Sequence, residues 1–274
     1  MADARGGGNR GLAAAWDPDG VAVPHRVPFD APWMWLAAGW RDLWAAPAVG
    51  LTYGLAFAGG AAALALGLWS RGAQALFPAF AGGFFLIAPF LAMGLYDASR
   101  RLAGGEPVSL ASAAGAGLAA KGQIAFFGVV LMIVFLVWLE LAFMLLMLFM
   151  GGQGLPPASE FLPTLLFTGP GLGLLIVGSI VGGCLATLVF AMSAVAVPML
   201  LVERVDAVTA IRSSIAAVAA NPKPMALWAA LIAVMIAAGF VTLLAGLVLA
   251  FPLIGHATWH AYCHIRNGVA PPIA

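Results

Sequence analysis

The chain has 274 residues, of which 63% are apolar and only 8% charged. A soluble domain runs near half apolar and a quarter charged, so too few charges remain here to clothe a water-facing surface, and lipid must be the solvent for most of the chain. The net charge of +1 and the scattered placement of the 12 Lys and Arg leave no basic stripe, which excludes nucleic acid as a partner.

Residues 1–28 mix Gly, Pro, Asp and Arg with no continuous apolar stretch. They lack the core of a cleavable signal peptide and are expected to form a disordered cytoplasmic arm. Asp30 can then cap a helix with Pro32 in its first turn. Along it Trp33, Leu36, Trp40, Leu43 and Trp44 fall on one face at helical spacing, with Arg41 and Asp42 elsewhere. Such a face suits a helix lying in the membrane interface, with Trp33, Trp40 and Trp44 as anchors.

A bilayer core of roughly 30 Å takes about 20 helical residues to cross. Spans are predicted over 48–68 and 75–96 and, after a short Ala- and Gly-rich interfacial helix at 109–120, over 124–150 and 171–201. Asp206 caps a further interfacial helix, striped by Val208, Ile211, Ile215 and Val218 and ended at Asn221-Pro222. The block 224–265 is 42 residues without Lys, Arg, Asp or Glu. One helix of that length would measure roughly 63 Å, about twice the hydrocarbon core. Two spans, 225–244 and 247–265, joined by a tight turn near Ala245-Gly246, fit better.

The fold class is therefore all-α, a polytopic transmembrane helical bundle of six spans with cytoplasmic amphipathic helices. It forms one membrane domain over 29–268 with a short cytoplasmic tail at 269–274. With both termini in the cytoplasm, 11 of the 12 basic residues lie inside and only Arg71 outside, the bias that sets orientation in membranes. Cys184 and Cys263 sit far apart in apolar stretches and make no disulfide scaffold.

The short helices end alike, in Trp44-Ala45-Ala46, Leu118-Ala119-Ala120 and Val218-Ala219-Ala220. The even-numbered spans share a second pattern. Pro89-Phe90-Leu91 precedes Tyr96-Asp97-Ala98, Pro198-Met199-Leu200 precedes Val205-Asp206-Ala207, and Pro252-Leu253-Ile254 precedes Trp259-His260-Ala261. This reads as a threefold internal repeat of interfacial helix, outward span and inward span with a proline kink. Chance matching in an Ala-rich chain is the competing account.

Several of these stretches resemble a known family. Val197-Pro-Met-Leu-Leu201, Asp206-Ala-Val-Thr-Ala-Ile-Arg-Ser-Ser214, Ala220-Asn-Pro-Lys-Pro-Met-Ala-Leu-Trp228 and Pro252-Leu-Ile-Gly-His-Ala-Thr-Trp-His-Ala-Tyr262 are similar to the bacterial predicted integral membrane proteins grouped as domain of unknown function 2189. So are Gly39-Trp-Arg-Asp42 and Gly94-Leu-Tyr-Asp-Ala-Ser-Arg-Arg101. The resemblance covers nearly the whole chain after the arm. It implies a bacterial inner-membrane address and no established activity. One departure is Val202-Glu203-Arg204, where an Asp-Arg pair is expected, which puts in doubt any role for an acid at that place.

Few residues could carry chemistry. His256, His260 and His264 recur every four residues on the last span and form one slowly drifting stripe. Imidazoles so spaced can ligate a metal or haem. The plainer account has His256 and His260 bonding between helices and His264 solvated, with no cofactor. Glu140 is the one acid inside a span, about 15 Å from the outer end of its helix. A carboxyl at that depth is costly and should be protonated or paired. His256 is its preferred partner, with Cys184 and Ser179 as alternatives. Met144, Met147 and Met150 step by three and do not converge on a copper site. Gly50 with Gly54, and Gly178 with Gly182, fit close helix contacts. Asp97, Arg100 and Arg101 read as a charged rim near lipid headgroups.

No phosphate loop, nucleophile elbow, dinucleotide fingerprint or zinc-protease motif is present. The expectation is a non-enzymatic membrane protein whose partners are the lipid bilayer and another membrane protein complex, as scaffold or assembly accessory. A small transporter or channel with a polar path at Glu140 and His256 is the first alternative. A haem- or copper-binding redox accessory using His256, His260 and His264 is the second.

Overall fold

The structure, a computed structural model, describes residues 16–73, 76–116, 121–151 and 158–271. The start of the arm, the end of the short helix at 109–120 and the end of the tail lie outside the described residues. Regular structure among the described residues is α-helical apart from one antiparallel bridge between Trp16 and Ala22. The chain runs through α1 (Ala31–Ala45), α2 (Pro47–Trp69), α3 (Phe77–Leu86), α4 (Ala88–Leu91), α5 (Met93–Ala103) and α6 (Leu110–Gly115). It continues through α7 (Lys121–Met150), α8 (Ala158–Phe167), α9 (Gly169–Ser193), α10 (Ala196–Val202), α11 (Ala207–Ala220), α12 (Pro222–Val241) and α13 (Leu247–Asn267).

Four of these stretches are long and apolar enough to cross a bilayer: Pro47–Trp69, Gly122–Met150, Gly169–Val202 and Pro222–Val241. The chain is a helical membrane bundle. The span expected over 75–96 arrives in pieces, because Pro89 has no N–H to give the carbonyl four residues back, and the helix breaks at Ile87 and again at Ala92. Ahead of Pro198 the chain breaks at Ala194-Val195, where the Val195 N–H is donated to the Ser214 hydroxyl at 3.0 Å. Pro252, by contrast, sits inside an unbroken α13. It leaves the Val248 carbonyl without its helical donor, and that carbonyl faces Gly54 of α2, where a side chain would strike it. A neighbouring helix at close range is how membrane helices tolerate proline.

α13 is the axis of the packing, with Leu247, Phe251, His256, Trp259, Tyr262, Ile265 and Arg266 among its buried residues. α1 and α2 lie against it, Gly39 on Ala257 and Gly50 beside His256. Phe57 of α2 stacks on Phe251 at 3.9 Å between centroids, and Trp35 meets Trp228 edge-on at 5.9 Å. α12 and α13 are joined by the predicted tight turn, here Thr242 to Gly246. It places Leu243 at φ 52° and Leu244 at φ 72° and is closed by Gly246 N–H donating to the Thr242 hydroxyl at 2.8 Å.

Residues 16–28 differ from the loose arm expected of them. The His25 N–H donates to the Ile265 carbonyl at 2.7 Å and the Val27 N–H to Asn221 Oδ1 at 2.9 Å. The Ala22 N–H donates to the Ser213 hydroxyl at 3.0 Å. Low hydrophobicity predicts disorder only when backbone groups find no better partner than water, and here α11 and α13 supply partners.

A second set of helices, α3, α7 and α9, meets around Trp138. Its ring lies between Gly82 and Gly83 of α3 and Gly182 of α9, and its indole N–H donates to the Ala79 carbonyl at 2.6 Å. The Gly182 half of the expected small-residue pair thus seats an indole, while nothing lies near Gly178.

Candidate functional site

The stripe of histidines on α13 does not converge. His256 Nδ1 is 2.8 Å from the Ser99 hydroxyl of α5, and His260 Nε2 is 2.8 Å from Asp42 Oδ2 of α1. His264 Nδ1 accepts from the Trp35 indole at 3.2 Å, which puts any remaining ring proton on Nε2. A stripe that drifts around its helix meets a different neighbour at each turn, and each imidazole finds its own. His264, expected in solvent, is buried beneath Trp35. Among the described residues no three His, Cys, Asp or Glu side chains gather as metal ligands would. His256 is fully buried, and among the described residues its Nε2 has no hydrogen-bond partner.

Glu203, the position the sequence left in doubt, gathers the C-terminal end of α13. Its carboxylate accepts from the Tyr262 hydroxyl at 2.6 Å and from Arg266 Nε and Nη2 at 3.0 and 3.1 Å. The Arg266 guanidinium, 2% exposed, also lies 4.5 Å over the Trp16 ring. Asp97 is a second gathering point. It accepts from Arg100 Nε at 2.9 Å and Arg101 Nε at 2.7 Å, and Glu106 meets both guanidinium groups at 3.3 Å. The rim expected to face headgroups is thus closed largely on itself.

On α1, Trp33, Trp40 and Trp44 are about half exposed, whereas Trp35 and Leu43 are fully buried. The predicted stripe therefore splits. Its tryptophans point outward and Leu43 belongs to the inward face with Ala38 and Gly39. α11 divides the same way, with Ala207, Ala210, Ser213, Ser214 and Ala217 inward and Val208 and Ile215 exposed. Asp206 caps α11 through Thr209 as expected, but Asp30 makes no side-chain cap on α1.

Glu140 does not reach His256. It is exposed on α7, on the wall of a half-open cavity of about 1290 Å³ lined mainly by α3, α7, α9, α12 and α13, with Phe161 and Leu165 of α8 also in its lining. Ser179, its alternative partner, lines the same cavity across from it, while Cys184 is exposed on α9. Met150 is buried and Met144 and Met147 are exposed, so the three methionines diverge.

The model of a family described as predicted integral membrane protein, domain of unknown function 2189, matches residues 76–202. The chain resembles that family. The family match runs from just before α3 through α10, a little under half of the chain, and includes Asp97, Glu140 and Trp138. It stops before Glu203, α11 and the histidines of α13, so it is narrower than the resemblance read from the sequence. No curated protein and no solved structure matches the chain.

Proposed function

We propose that this chain is a bacterial inner-membrane protein that carries out no chemistry of its own and accompanies another membrane complex as scaffold or assembly partner. Six spans cross with both termini inside, the broken α3–α5 run serving as the second and α13 as the sixth. One observation carries the reading. Apart from His256 Nε2, the hydrogen-bonding groups of the α13 histidines, Tyr262 and Arg266 are spent on neighbouring side chains, while only 6% of the most apolar stretch of Gly169–Val202, and 17% of that in Gly122–Met150, is covered by the rest of the chain. Faces this bare suit lipid and a partner's helices. The outward tryptophans of α1 and the exposed Val208 and Ile215 of α11 support a role as interfacial anchors.

The test is affinity purification in a gentle detergent, with mass spectrometry and an absorption spectrum. A stoichiometric membrane partner is expected in a colourless preparation. A monodisperse chain without a partner would overturn the reading, and a haem or copper band would favour the redox alternative. The transporter alternative draws on Glu140 in the cavity wall, and its path would have to pass the packing that holds His256 against Ser99.

A further inference from the structure

Residues 16–28 carry little that would hold them on the bundle by hydrophobic burial. Ala22 is the only buried residue among them, while Trp16, Val23 and Arg26 are exposed. Their attachment is polar and runs mostly through their own backbone. The Ala22 N–H goes to Ser213 of α11 and the His25 N–H to the Ile265 carbonyl of α13. Asn221, at the joint of α11 and α12, accepts the Val27 N–H while its Nδ2 donates to the His25 carbonyl at 3.0 Å. Arg212 Nη1 donates to the Asp19 carbonyl at 3.4 Å, and Trp16 covers the Arg266 guanidinium. The receiving groups are sealed, since Ser213, Asn221, Ile265 and Arg266 are each 3% exposed or less. A largely exposed strip thus lies on a buried polar seat.

The strip has a shape of its own. At one end Asp17 closes a turn, its N–H going to the Val21 carbonyl and its carboxylate accepting the Val21 N–H at 2.7 Å, with Gly20 at φ 72°. Pro18, Pro24 and Pro28 fix their own φ angles and bring no N–H that needs a partner. At the other end the Ala31 N–H donates to the Pro28 carbonyl at 3.1 Å, where α1 begins. A stiff segment loses little conformational entropy when it docks and keeps its shape when it leaves. Segments with few buried apolar contacts open at a fraction of the cost of global unfolding. One amide, that of Asn221, holds both His25 and Val27, so these contacts are released together. Opening takes Trp16 off Arg266, and the Arg266–Glu203 pair then meets water, where such a pair contributes little.

We propose that residues 16–28 are a latch that opens and closes as one unit on a folded bundle, uncovering Asn221 and Arg266 when open. The latch does not rest on the accessory role argued above. Its test is hydrogen exchange of the full chain in nanodiscs of phosphatidylethanolamine and phosphatidylglycerol, with phenylglyoxal as the probe of guanidinium access. The amides of Ala22, His25 and Val27 are expected to share one protection factor. It should lie roughly a hundredfold above that of a free peptide of residues 16–28 and roughly a hundredfold below that of the α13 amides from Ala257 to Ala261. Asn221→Ala and Trp16→Ala, at opposite ends of the seat, should each speed all three amides about tenfold. Trp16→Ala should also speed phenylglyoxal modification of Arg266 about fivefold. The α13 amides identify a misfolded variant, in which case exchange of the parent protein decides alone. Exchange as fast as that of the free peptide, or only in step with α13, would rule the latch out. So would a variant whose effect stops at the contact it removes, or Arg266 reactivity that Trp16→Ala leaves unchanged.

Discussion

Glu203 accepts a phenol O–H and two N–H groups of one guanidinium, Nε and Nη2, from side chains some 60 positions later in the chain. Removing one partner of such a pair costs more than the pair contributes, because the other charge stays in a poorly solvated place. Glu203→Ala should therefore cost about 2–3 kcal/mol, somewhat below the roughly 3–5 kcal/mol of a fully buried pair, since about a fifth of the Glu203 side chain is exposed. Thermal unfolding in detergent reads this directly, and an unchanged midpoint would rule out the role given to Glu203. Asp206 acts at the same scale. The Thr209 N–H and then its hydroxyl hold the Asp206 carboxyl below its ordinary 3.8. A group lowered on folding contributes in full above its unfolded value and loses that contribution as pH falls through the folded one. Asp206→Ala should cost about 1 kcal/mol at neutral pH, and the gap to the parent protein should close as pH drops below 3.8. A gap that persists in acid would point to packing rather than capping. Capping at Asp206 could be read from sequence because its partner is three residues away. The partners of Glu203 could not, because they are distant along the chain.

Among the elements, glycine and proline work together across α2 and α13. Pro252 frees the Val248 carbonyl and Gly54 lets α2 close over it. Gly54→Ala should push the helices apart and cost about 2 kcal/mol, the scale of overpacking. Gly59→Ala, on the same helix with open space around it, should be tolerated. Equal unfolding midpoints for the two variants would argue against the close contact. The joints between short and long helices bear on the repeat. Ala46 and Asn221 share nearly the same backbone angles, φ −133° and ψ 59° against φ −126° and ψ 50°, each directly before a proline. The matching end of the third expected unit, Leu118-Ala119-Ala120, lies outside the described residues. The Ala-Ala pairs are permissive helix residues, whereas the pre-proline geometry fixes the joint.

For the whole molecule, the charge bias predicts that reporters fused to either end report a cytoplasmic location, with the loop at Arg71 outside. A C-terminal reporter active outside the cell would leave an odd number of crossings and remove α13 from the count. Sequence alone was enough to establish a helical membrane protein, its long apolar helices and the turn between the last two. Hydropathy and length are sums over neighbouring residues, so they need no knowledge of the fold. Tertiary structure alone decided what the polar residues do. Three histidines with one spacing take partners 157, 218 and 229 residues away, and Glu140 faces a cavity rather than His256. Helical periodicity tells which way a side chain points from its own axis, but which helix stands there, and how wide a gap is left, depends on how all the helices pack.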